Sequence, residues 1–142
     1  MSNEDNLYYL PKTGEDLELM EFAELRMPGY THKLIIDQNR IKGMTDKAKA
    51  LLQAVYLILN TERYHYPIYS WRYGVELADL IGKPKDYAMS EAKRRIYEAL
   101  IQDDRITDVD SWVFSSGHKW VTVSFVVHTI YGDVEAEKEI AA

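Results

Sequence analysis

The 142-residue chain contains no cysteine, which excludes disulfide frameworks, thiolate nucleophiles and sulfur-ligated zinc or iron. Phenylalanine and tryptophan are scarce at three each, and eleven tyrosines carry the aromatic load. Tyrosine joins apolar area to a hydroxyl that needs a partner, so it suits core margins and interfaces. Long apolar runs are missing as well. The longest, around Leu51 to Leu59, is too short to span a bilayer. The start, Met1-Ser2-Asn3-Glu4-Asp5, is acidic and has no apolar stretch of the secretory kind, so a soluble cytoplasmic product without membrane contact is expected. Nor is there a basic excess. The net charge is −6, and an acidic chain without a large basic block is a poor nucleic-acid binder, because phosphate neutralisation supplies most of that affinity.

Sites of recognisable chemistry are equally thin. The histidines His32, His65, His118 and His128 are dispersed without metal-ligand spacing and read as surface or edge residues. Tyr73-Gly74 and Ile81-Gly82 are single glycines rather than a phosphate loop, no G-x-S-x-G elbow exists, and Ser115-Ser116-Gly117 lies in a hairpin turn without an evident catalytic base. No cofactor and no metal are expected, and no catalytic residue is assigned. Glu62, Glu76, Asp103 and Asp104 fall near element ends, where paired carboxylates support glycoside hydrolysis; a cell-wall hydrolase is therefore kept as an alternative. Lys93-Arg94-Arg95 reads as a solvated helix face, since only part of the run shares one side.

What is present is enough for one core. An apolar fraction of 46% over this length fits a single domain. Acidity is concentrated in residues 1–30, which hold seven acids and two bases among Pro11, Gly14, Pro28 and Gly29. This stretch reads as an extended arm with a helical piece near Asp16 to Leu25, ordered mainly by a partner. Residues 31–142 form the domain.

Within it, Lys33 to Asp37 and Arg40 to Lys42 predict a short β-hairpin turning at Gln38-Asn39 and stopped by Gly43. Thr45 is the expected cap of an amphipathic helix that carries Ala48, Leu51, Leu52, Val55, Ile58 and Leu59 on its apolar face and ends near Thr61. Tyr64 to Trp71 contains Pro67, so an edge strand or ordered loop is expected. Val75 to Ile81 predicts a short helix. A second long helix is expected from Tyr87 to Ile101, capped by Asp86, with Met89, Ala92, Ile96, Ala99 and Leu100 inward.

After Arg105 the period becomes two. Thr107, Val109, Ser111 and Val113 alternate with Ile106, Asp108, Asp110, Trp112 and Phe114; turns are expected at Ser115 to His118 and at Gly132-Asp133. Val121, Val123, Phe125 and Val127 form the inner face of the middle strand, and Glu135, Glu137 and Glu139 an acidic outward row on the last. The expectation is an α+β fold: a three-stranded antiparallel meander plus a short N-terminal hairpin, with two main helices packed on one side. The acidic row would protect the last strand from random pairing while leaving it open to a designated strand.

Two constellations remain between Leu59 and Arg105. In the first, the stretch Arg63 to Tyr73, Arg63 and Arg72 stand with Tyr69, Trp71 and Tyr73, types enriched at binding hot spots; a packed loop covering the sheet is the other reading. In the second, Asp103-Asp104-Arg105 joins a helix to a strand, where the arginine fork ties a carboxylate or carbonyl across the junction or closes a local salt-bridged turn.

Leu57-Ile58-Leu59-Asn60-Thr61-Glu62-Arg63 followed by Tyr69-Ser70-Trp71-Arg72-Tyr73-Gly74-Val75-Glu76-Leu77 resembles the pattern of the phage baseplate wedge family typified by the sheath initiator of contractile tails. Glu91 to Leu100 with Asp103-Asp104-Arg105-Ile106 resembles that family's helix and Glu-Pro-Arg signature, with Asp103 shortening the acid and Asp104 replacing the proline. Leu59 to Gly74, Ala99 to Ile106 and Thr129 to Asp133 resemble the PBSX type of prophage baseplate protein. The resemblance covers roughly residues 30–135. It implies a non-enzymatic structural component of a phage, prophage or tailocin tail, made in the bacterial cytoplasm and placed in the inner baseplate. Six copies would surround the tube, joining the wedge protein to the sheath and nucleating sheath assembly by strand pairing, with tube-initiator or hub proteins as further neighbours. Asp103, Asp104 and Arg105 would then contact the wedge, and Arg105→Ala would weaken that contact with little loss of folding. The family's former lysozyme-like label does not imply activity here. A free-standing adaptor is a third reading.

Overall fold

The computed structural model describes residues 29–141; the expected N-terminal arm, apart from Gly29 and Tyr30, lies outside them. Strand β1 (Thr31–Ile35) and strand β2 (Arg40–Thr45) form an antiparallel hairpin. Its turn is a 3-10 segment, Ile36–Gln38, closed by Asn39 in the left-handed region at φ 46°, a conformation that asparagine tolerates. Gly43 does not stop the hairpin as expected. At φ +78° it sits inside β2, where Lys33 falls opposite both Lys42 and Gly43, a bulge that needs a residue free of Cβ strain.

Because Thr45 pairs with Thr31, the cap of helix α1 (Lys47–Leu59) passes to Asp46, whose carboxylate accepts from the Lys47 amide at 2.7 Å. Ala50, Leu51, Val55, Ile58 and Leu59 are its buried face, whereas Leu52, expected in the core, is largely exposed. Residues Tyr64 to Trp71 make successive turns and no strand, and the expected short helix contracts to a 3-10 turn, Ala78–Leu80. Helix α2 (Lys85–Leu100) starts two residues earlier than expected. Pro84 occupies the cap position without a side-chain bond and leaves Asp86 in the first turn, where its charge opposes the helix dipole. Neither helix is long and apolar enough to cross a membrane.

Strands β3 (Ile106–Ser116), β4 (Trp120–Thr129) and β5 (Gly132–Ala141) form the antiparallel meander in the order β3-β4-β5. The β4–β5 turn is Ile130-Tyr131, two residues earlier than expected, with Thr129 paired to Gly132. In β4 the strict alternation holds, and Val121, Val123, Phe125 and Val127 are buried. In β3 it does not. Register shifts between Ile106 and Asp108 and between Asp110 and Val113, with Ser111 at φ 54°, turn Ile106, Val109, Trp112 and Phe114 toward the core and leave Val113 62% exposed. Each extra residue reverses the side-chain phase. Helix α1 packs over β5 and α2 over β3, so one apolar cluster joins both helices to the inner face of the sheet. The outer edges of β3 and β5 pair with no other strand among the described residues.

Candidate functional site

Helix α2 delivers the acidic junction. Its exit is closed by the Asp103 amide donating to Leu100 O at 3.1 Å and the Ile106 amide donating to Asp103 O at 3.0 Å. The Asp103 carboxylate then accepts from Arg105 three times: from the amide at 3.0 Å, Nε at 2.9 Å and Nη2 at 2.7 Å. Of the two readings the sequence allows, the guanidinium therefore takes the local one. Burial pushes the Asp103 carboxyl up, but the Arg105 side chain and amide outweigh it and hold it below its ordinary value. The Asp103 bonds raise Arg105 in turn. The Ile130 amide donates to Arg105 O at 3.1 Å, which fastens the junction to the β4–β5 turn.

The aromatic loop leaves α1 and returns beside it. Val75 N donates to Thr61 O at 3.0 Å and Arg63 N to Val75 O at 3.3 Å, a parallel bridge at the loop's base. Gly74 lies between these bonds at φ +91°, and a Cβ there would sit 2.5 Å from Thr61 O; only glycine fits. Arg63 donates from Nε and Nη2 to Gly74 O at 3.3 and 3.2 Å and faces Glu98 on α2 at 3.8 Å. Rings form a chain outward, with centroids 4.7 Å apart for His65 and Tyr66, 6.1 Å for Tyr66 and Tyr69, and 4.6 Å for Tyr69 and Tyr73. Burial raises the Tyr73 phenol above its ordinary value, with Tyr69 adding to the effect. Beyond the rings the loop is open to solvent: Ile68 is 87% and Trp71 64% exposed, and the Arg72 guanidinium lies 4.7 Å over the Trp71 ring.

Loop and junction meet. Arg72, Tyr73 and Gly74 line a recess of about 390 Å³ together with Ile58, Gln102, Asp103, Asp104 and Arg105. A neighbouring hollow of about 350 Å³ is lined by Arg63, Trp71, Arg72, Glu98 and Gln102. Arg72 and Gln102 belong to both. Of the residues in the two constellations, Tyr69 alone lines neither and joins through its ring on Tyr73.

Two of the four carboxylates of the hydrolase alternative are committed elsewhere. Glu62 accepts from the Leu77 amide at 3.2 and 3.3 Å and from the Ala78 amide at 3.3 Å, capping the 3-10 turn. Asp103 is held ionised, the opposite of what a general acid needs. Among the described residues no group of three or more His, Asp or Glu side chains is placed to hold a metal. In the basic run of α2, Arg94 pairs with Glu91 at 2.8 Å and Glu98 at 3.2 Å, Arg95 ties the helix to Asp79 and Glu76 O, and the Lys93 ammonium lies 5.9 Å from the Trp112 ring centre.

Two features escape the sequence reading. His128, taken there as an isolated edge histidine, is bracketed by Asp133 at 2.7 Å on Nδ1 and Asp110 at 2.9 Å on Nε2, tying all three meander strands together on the outer face. The Asp133 and Asp110 bonds raise its pKa. The second is a groove of about 640 Å³ between the hairpin, α1 and β5, with Leu34, Met44, Leu52, Tyr56 and Ala136 among its walls. Gln53 holds the hairpin over it, accepting from the Leu34 amide and donating to His32 O, both at 2.8 Å. The signal for the groove is the second apolar stripe of α1, Leu52 and Tyr56, beyond what the core uses.

The sequence profile of the contractile injection system sheath initiator family matches residues 23–132, a span that contains both loop and junction. The chain belongs to that family. A Bacillus subtilis (strain 168) protein, the phage-like element PBSX protein XkdS, is 36% identical to this sheath initiator over 130 residues, which is 89% of this chain and 91% of that protein. The sheath initiator is thus a component of a phage-like contractile tail apparatus, in a family whose role is structural. The matched span ends at Gly132, the first residue of β5.

Proposed function

We propose that this sheath initiator occupies the inner baseplate and joins the wedge protein to the sheath through two separate surfaces. One is the recess where Arg72 and Tyr73 meet Asp103, Asp104 and Arg105, extended by Arg63, Tyr69 and Trp71; this is the wedge-facing side. The other is the free edge of β5, which takes a strand of the sheath by β-augmentation. That edge is the observation that carries the reading. The outer edge of a strand ten residues long, paired on its other side with β4, invites indiscriminate pairing unless guarded, and the exposed Glu135, Glu137 and Glu139 guard it against all but a chosen strand.

Six copies around the tail axis multiply modest contacts into a stable ring, with residues 1–30 as an arm reaching neighbouring tube-initiator or hub proteins and residues 31–142 as the body. Deleting the gene tests this. The expected result is tubes without sheath, or sheath polymerised away from baseplates; sheathed particles at wild-type frequency would end the proposal.

A further inference from the structure

From α1 to the C-terminus the chain has five arginines. Arg63, Arg94, Arg95 and Arg105 are each paired with a carboxylate of the chain. Arg72 is different: its guanidinium carbon lies over the Trp71 ring, 4.7 Å from the centre. A guanidinium over an indole face keeps in-plane N–H donors that match a planar acceptor.

Two of the nearby acids are committed to other arginines. Glu98 is shared by Arg63 and Arg94, and Asp103 is taken by Arg105. The loop that carries Arg72 is ordered rather than pliant, with Tyr69 N donating to Tyr66 O at 3.2 Å and Tyr73 N to Ser70 O at 3.1 Å. An exposed tryptophan with an arginine over its ring on a fixed loop is the arrangement of a hot spot awaiting its other half.

We infer that the Trp71–Arg72 stack is a receptor for a carboxylate side chain on another tail protein, with an apolar residue beside that acid entering the recess walled by Ile58 and Tyr73. The inference rests on reading the loop as an assembly contact, and it adds the chemistry of the partner. A polyanion is the wrong occupant, because the chain is acidic overall at −6 and repels extended negative charge. A single carboxylate takes the fork bidentately and leaves the Trp71 face to be covered by apolar contact.

The test uses assembled tail particles carrying a photoreactive benzoylphenylalanine in place of Trp71, irradiated, digested and sequenced by mass spectrometry. The expected adduct lies on a different tail protein, within about four residues of an Asp or Glu, the reach of a short extended segment. Arg72→Glu is expected to lower incorporation into particles by about tenfold or more, with Arg72→Lys between the two and no change in melting temperature for either. Changing the crosslinked acid to Arg restores incorporation of the Arg72→Glu protein.

An adduct on residues 1–28 of the same chain, an adduct far from any acid, no adduct, or wild-type incorporation of Arg72→Glu overturns the inference. If Arg72→Glu proves unstable, Arg72→Met, which keeps the apolar cover and removes the fork, takes its place with the same expected loss. Sheathless tails on gene deletion alongside normal incorporation of these variants would leave the assembly reading intact and remove the carboxylate alone.

Discussion

Arg105→Ala is the most informative single change, because the sequence and the structure predict different outcomes for it. As a free docking side chain, Arg105 would be removable at little cost to folding. In the structure it donates from Nε and Nη2 to Asp103, and the two side chains are 12% and 13% exposed. Exposed ion pairs contribute about 0–1 kcal/mol, whereas breaking a buried one costs about 3–5 kcal/mol because a charge is stranded. This pair stands nearer the buried limit, but the Arg105 amide still reaches Asp103 after the substitution, which tempers the loss to about 2–3 kcal/mol. For a chain of 142 residues that lowers the melting temperature by roughly 7–10 °C.

Urea unfolding of Arg105→Ala, Asp103→Ala and the double variant, followed by tryptophan fluorescence, should return a coupling of about 1.5–2.5 kcal/mol. Acid adds a second reading. The folded Asp103 carboxyl titrates below its ordinary value of 3.8, so its stabilisation is complete above that value and is lost as pH falls through and below it. Arg105→Ala should flatten that acid limb. A coupling under about 0.5 kcal/mol with a shift of less than about 2 °C would refute the reasoning and return Arg105 to the role of an uncommitted contact residue.

Other positions give sharper local tests. Gly74→Ala places a Cβ 2.5 Å from Thr61 O at φ +91° and should cost about 1–3 kcal/mol, with rapid hydrogen exchange at the Val75 and Arg63 amides as its signature. Asp133 and Asp110 raise the His128 pKa above its ordinary value of 6.5, so its contribution to stability should be complete below about that pH and fade as pH rises through the raised folded value; melting curves across that range should slope for the wild type and flatten for His128→Gln. Gln53→Ala removes both bonds to β1 and should accelerate exchange across the hairpin while leaving the β4 amides protected. Equal protection of both regions would show that the hairpin does not depend on that side chain.

The meander is legible in the sequence because Val121, Val123, Phe125 and Val127 are buried in strict alternation, and a middle strand with one apolar face has few other solutions. Strand β3 is less so, since nothing in Asp108 to Val113 marks where its register shifts, and each shift reverses the faces that follow. Helix boundaries move for tertiary reasons: Thr45 is a good cap by type, but pairing with Thr31 uses its backbone in the hairpin. At the junction the residues are identifiable and their partner is not, because Asp103 and Arg105 can close on each other or reach outward with the same sequence. The meeting of Arg72 with Asp103 to Arg105 in one recess depends on how α1 and α2 lie side by side. The groove under the hairpin likewise draws on three elements distant in the chain; only the surplus apolar stripe of α1 points to it.

The most direct measurement of the account is an electron cryomicroscopy map of the baseplate before contraction, at a resolution that traces strands. It should place six copies around the tube, each with a foreign strand hydrogen-bonded along the free edge of β5 and a second protein against Trp71 and Arg72. A map in which the β5 edge faces solvent, or in which the sheath contacts this protein only through side chains elsewhere, would contradict nucleation by strand pairing.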